Sequence, residues 1–345
     1  MAKNKQPSAC SRLGAIGGQA VLEGIMMRSK EQYTTAVRVT DTGEIVRDTH
    51  KTTSVSDKHK WMKWPLVRGI VNFVESMKLS FSTLTFSAEA QGLDAEPETK
   101  FEKWLVDKFG EKLMAVVAGI GTVLGLCLAV VLFMWLPKFL ADLAFPVSVS
   151  RFLNALLQGI VRIAIFVGYI AAVSLMKDMR RTFEYHGAEH KSIFCYEAGE
   201  ELTVENIKKK SRFHPRCGTS FFFVMMLLGI LLSVFLNFIP LPEAAWSNLV
   251  YTLLKLVTLP LVVAVGYEII RFAGRHDNAF VRVLTAPGLW MQRLTTREPD
   301  DSQIEVAIVA LKSALPEEFS EEDVFSGIAQ PEKKEAEEIG EGADA

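Results

Sequence analysis

Four stretches of this chain are so long and so apolar that they decide what surrounds it. The first runs from about Leu113 to Leu136 without a charge, and the second from about Phe152 to Met176 with Arg162 inside it. The third covers about Ser220 to Ile239. The fourth covers about Leu249 to Phe272, carries Lys255 and Pro260, and ends near Glu268. A bilayer's hydrocarbon core asks for ~20 residues of helix, and all four stretches supply them. With 49% of 345 residues hydrophobic, and those residues gathered rather than dispersed, a soluble two-domain reading of the length does not apply. The expectation is an all-α polytopic membrane protein with four transmembrane helices between residues 113 and 272.

Charge between the stretches sets the direction of threading. Lys177, Arg180 and Arg181 follow the second, Lys208, Lys209, Lys210 and Arg212 precede the third, and Arg271 and Arg275 close the fourth. The short connection "LPEAAWSN" has no basic residue, and the one between the first two stretches has only Lys138 and Arg151. Basic loops stay inside, which puts both termini and the central loop, residues 177–219, in the cytoplasm of a multi-pass cell-membrane protein.

The flanks read differently. Residues 1–64 are polar, and "AVRVTDTGEIVRDT" alternates about "DTG" as a short hairpin does. "GGQAVLEGIMMR" reads as a glycine-rich turn into a surface helix, which would set Gln19 and Glu23 one turn apart. Between residues 65 and 112, "PLVRGIVNFVESMKLSFSTLTFSAEA" repeats apolar residues at helical spacing around Arg68, Glu75 and Lys78, which points to an amphipathic helix lying in the interface with the lipid bilayer. Residues 273–315 end in "DDSQIEVAIVALKSAL", a cytoplasmic helix with a start signal. The last segment, 316–345, holds eleven acidic residues and two Lys, and is expected to be solvated and disordered. Setting it aside leaves 36 basic and 29 acidic residues, a mild excess suited to anionic lipid and too small, and too confined to helix ends, for nucleic acid.

The central loop carries the chemistry. "HGAEH" sets His186 and His190 one helical turn apart, where two imidazoles can share one ion, and H-x-x-E-H is the inverted-zincin order in which Glu189 is the general base. The same loop ends in "FHPRCGTSF", with His214 and Cys217 at the spacing of a zinc knuckle. His186, His190, His214 and Cys217 would satisfy tetrahedral zinc as a closed, structural site; three of them would leave a position open for water and catalysis. Glu268 is a further candidate ligand, with an ion pair to Arg271 or Arg275 as its ordinary alternative.

These residues give the chain a resemblance to the YqhQ family of bacterial membrane proteins. It is carried by "GGQAVLEGIMMR", "EYHGAEHKSIFCYE", "HPRCGTSF", "GYEIIRFAGRHDN" and "PGLWMQRLTTREPDDSQIEVAI". The resemblance implies a divalent-metal site, zinc first, at His186, Glu189, His190, His214 and more remotely Glu268; it names no reaction. The leading expectation is a metal-dependent hydrolase working at the cytoplasmic membrane surface on a membrane peptide or a lipid head group. The alternative is a non-enzymatic scaffold or biogenesis factor, with a structural zinc site shaping a basic loop that docks a protein partner. A transporter is a third class, and with four spans it would need to be an oligomer.

Overall fold

The computed structural model describes residues 12–52, 59–92, 113–144, 151–236, 239, 247–273, 276 and 278–328. Four strands open the chain: β1 (Gly17–Val21), β2 (Gly24–Arg28), β3 (Gln32–Arg38) and β4 (Ile45–Lys51). They form one antiparallel sheet in sequential order. The expected hairpin is its β3–β4 half. "GGQAVLEGIMMR" corrects the helical expectation, because it folds as the β1–β2 hairpin, with Val21 paired to Gly24 and Glu23 held at φ 50° in the turn. Gly24 has to be glycine: a Cβ there would lie 2.4 Å from the Ala36 carbonyl oxygen across the sheet. The architecture is therefore mostly helical but not all-α.

Helix α1 (Val67–Ala90) follows, with the extent expected of the amphipathic segment. Then α2 (Leu113–Val130) passes through a π-helical turn at Val131–Trp135 into α3 (Leu136–Ala144). Arg162, on α4 (Arg151–Val173), donates through Nε to the Phe133 carbonyl within that turn at 2.7 Å. A π turn loosens the local ladder, and here a carbonyl there is taken by a cation that apolar surroundings would otherwise strand. Beyond α5 (Lys177–Glu197) and the short α6 (Val204–Lys208) come α7 (Gly218–Leu236) and α8 (Ser247–Ala273). The chain then forms α9 (Ala279–Thr295), α10 (Asp301–Ser313) and α11 (Glu321–Val324).

Three helical runs are long and apolar enough to cross a membrane: Gly119–Ala144, Phe152–Val173 and Leu249–Ala273. The third sequence segment gives a shorter apolar helix, Phe221–Leu236. It is nonetheless central, packing against α4, α8 and α9. Small residues allow the close crossings: a Cβ on Gly159 would meet Ile230 at 2.7 Å, and one on Gly266 would meet the Met225 sulfur at 2.3 Å.

The sheet is covered on both faces. α1 lies against β1 and β3, while α5 and α10 cover the other side. Alternation explains the division: Ile25 and Met27 belong to the buried core with Tyr185, Ile304, Ile308 and Leu311, whereas Met26 faces the α1 side. The C-terminal helix starts where the sequence signals it, with a capping box between Asp300 and Gln303. It is not a separate appendage, because it fills the core beneath the N-terminal strands. The acidic segment is also folded in its first part. Val324 is buried, and Glu318 accepts from the Tyr196 hydroxyl at 2.5 Å and pairs with Arg12 at 3.2 Å. Residues 329–345, and most of the connection between the third and fourth apolar segments, lie outside the described residues.

Candidate metal centre

The central loop is mostly helix. α5 carries His186, Glu189 and His190 and packs between β1, β2 and α10. A four-residue spacing on a helix stacks two side chains, and the His186 and His190 rings stand 4.4 Å apart, edge to face. Cys217 reaches them from the turn before α7. Its sulfur lies 3.2 Å from His186 Nε2, and one donor atom from each of His186, His190 and Cys217 falls within 4.8 Å of the others.

Backbone carbonyls set both tautomers. His186 Nδ1 lies 2.8 Å from the Thr295 carbonyl, and His190 Nδ1 lies 2.5 Å from that of Arg212. A carbonyl can only accept, so each ring donates through Nδ1 and presents Nε2 as a lone pair. Metal-bound histidines are held in this way by their outer neighbours. Burial of His190 lowers its pKa, which favours the neutral, ligating ring. Its Nε2 is buried and, among the described residues, has no hydrogen-bond partner. An orphaned buried nitrogen is costly unless something fills its lone pair. A tetrahedral ion with N and S donors spaces them about 3.5 Å apart, and the nature of these three donors and their 4.8 Å cluster suit such an ion.

Glu189 sits beside the cluster, with its Cγ and carboxyl atoms so close to β1 that a Cβ on Gly18 would come within 2.8 Å of them. Burial raises its pKa to about 7, against the opposing pull of His186. Such a carboxyl exchanges a proton readily near neutrality.

The remaining two candidates are held differently. His214 is held by its backbone, which donates to and accepts from the Gln292 side chain at 2.7 Å each. Its ring is 5.6 Å from that of His190, but Nε2 points toward the Glu197 carboxylate at 3.8 Å. Glu268 is not at the cluster: it makes a bidentate ion pair with Arg68 of α1 and is drawn also by the Arg271 charge on its own helix, while Arg275 lies outside the described residues.

Sequence reading missed the two orienting carbonyls, Gly18 and Glu197. The carbonyls carry no side-chain signature. Glu197 did: it stands seven residues past His190, on the same helix face. The Gly17–Gly18 pair also signalled a place where something approaches the backbone closely.

A cavity of about 940 Å³ lies between α1, the sheet and the first turns of α7, and Glu189, His190, His214 and Cys217 line it.

A family model described as a protein of unknown function (DUF1385) matches residues 64–317. The "Uncharacterized protein YqhQ" of Bacillus subtilis (strain 168) is 34% identical over 321 residues, covering 91% of this chain and 95% of that protein. No solved structure matches.

Proposed function

Since the chain belongs to the DUF1385 family, with YqhQ among its relatives, we propose that it is a metal-dependent hydrolase of the cytoplasmic membrane surface. The observation that carries this reading is the convergence of His186, His190 and Cys217 beside a buried carboxyl on a cavity wall. In this reading the membrane is crossed four times, α7 included, with both termini and α5 on the cytoplasmic side, as the basic connections favour. His186, His190 and Cys217 hold zinc or a similar divalent ion. Such an ion, when bound, polarises a carbonyl or phosphoryl oxygen as a Lewis acid.

The chain's own residues do the rest. The Thr295 and Arg212 carbonyls keep the two imidazoles neutral and aimed. Glu189 takes a proton from the attacking water as its oxygen bonds to the substrate's carbon or phosphorus. It returns that proton to the leaving atom as the old bond breaks. Burial of the cluster keeps bulk water from competing for these contacts. Three donors rather than four are what support an open, catalytic site.

The purified protein should carry about one ion per chain. His190→Ala should lose it, while Glu189→Gln should keep it and lose turnover. A metal-free parent protein ends the proposal. His214, next to His190, is what supports the second reading, a structural site with a closed shell in a membrane scaffold. In that case Glu189→Gln would leave cellular function intact.

A further inference from the structure

Two kinds of side chain line the cavity. The charged ones are Glu189, Arg216, Arg28 and Lys30, three cations and one carboxyl. Arg216 is engaged by Glu197, while among the described residues neither Arg28 nor Lys30 is joined to a carboxylate. The apolar ones include Phe73 and Met77 of α1, Phe221 and Phe222 of α7, and Ile270 of α8.

Part of this apolar lining reaches the surface. Met77 is 49% exposed and Phe222 60%. On α1, Met77 continues a row of exposed apolar side chains, Ile70, Val74, Phe81 and Leu84, spaced three or four residues apart along one face. Arg68 and Glu268 pin the start of this helix to α8, and a Cβ on Gly69 would come within 2.9 Å of Ala264 in the middle of an apolar run. A helix held in this way, with an exposed apolar outer row, suits the depth where a bilayer's polar and apolar regions meet. A ligand entering past Met77 and Phe222 would keep its chains in the bilayer and bring a polar head to the cations.

We infer that the cavity takes an anionic phospholipid from the bilayer, its headgroup at Arg28 and Lys30 and its chains along Phe73, Phe221 and Phe222. This rests on the hydrolase reading above and names the substrate class for that site. Cations beside anionic lipid contribute on the order of a fivefold preference each, so the two residues suffice to select an anionic over a zwitterionic head.

The test uses the full-length protein in phosphatidylcholine nanodiscs containing a trace of photoreactive phosphatidylglycerol or photoreactive phosphatidylcholine. Crosslinked residues are located by mass spectrometry, and bound metal is measured on the same samples. Phosphatidylglycerol should label Phe73–Met77 and Phe221–Phe222 at least about fivefold more than phosphatidylcholine. Arg28→Gln should reduce that preference, as should Lys30→Gln, which changes an exposed side chain and is tolerated by the fold. Equal labelling by both probes, or labelling confined to outer surfaces such as Trp61 and Phe280, overturns the inference. Competition by millimolar inorganic phosphate overturns it in favour of a soluble ligand, and competition by an apolar transmembrane peptide in favour of a peptide. Selective labelling in a metal-free protein sustains the lipid site while ending the hydrolase reading; metal without selective labelling does the reverse.

Discussion

Gly187 sits where α5 tolerates no side chain, since a Cβ would lie 2.0 Å from the Arg297 carbonyl oxygen. The neighbouring Thr295 carbonyl orients His186. Gly187→Ala should therefore cost about 1–3 kcal/mol in thermal or denaturant unfolding, and should weaken metal retention although it removes no ligand. Glu197 offers a pH test. Burial alone would raise its pKa, but the His214 ring, the Gly14 N–H and the Arg216 guanidinium outweigh that and hold it below the usual carboxylate range. A depressed folded-state pKa stabilises above the unfolded value of about 4.3, and the contribution disappears as pH falls through the folded value. Acid unfolding followed by fluorescence should thus have a steeper limb below pH ~4 in the parent than in Glu197→Gln. At this scale the histidine pair, Glu189 and Cys217 were legible, because helical spacing and knuckle spacing are local. The separation of His214 and Glu268 from the cluster was not, since Gln292 and Arg68, which hold them, are 78 and 200 residues away.

Among the elements, α1 is the most informative. Its register was readable from the repeat of apolar residues, but its docking was not, because that depends on Arg68 meeting Glu268 and on the absence of a side chain at Gly69. Arg68→Ala should loosen the helix start by about 1 kcal/mol, seen as faster proteolysis near Lys60–Lys63, and Arg68→Lys should restore only part of it because the fork is lost. The β1–β2 hairpin was misread because "QAVLE" fits a helix as well as a strand by periodicity. The tight turn at Glu23 is fixed instead by partners distant in sequence, the Arg38 N–H, Arg181 and the Tyr185 hydroxyl. The apolar segments announced themselves by length, and the third is a 19-residue helix from Gly218 to Leu236.

At the scale of the molecule, the four strands between Gly17 and Lys51 and the helix at Asp301–Ser313 share one core, while the apolar helices lie between them in sequence. Leu311 is fully buried there, so Leu311→Ala should cost about 2–5 kcal/mol. Hydrogen exchange should then report the loss in β2 and β3, far away in sequence, rather than in α7 or α8. The same arrangement bears on biosynthesis. The strands leave the ribosome some 250 residues before α10, which at about 5–20 residues per second means a wait of roughly 10–50 s. Throughout that interval Ile25 and Met27 lack Ile304, Ile308 and Leu311, which complete their cover. Nascent chains stalled before Asp301 should accordingly recruit a chaperone at the N-terminal strands, and release it once α10 has emerged.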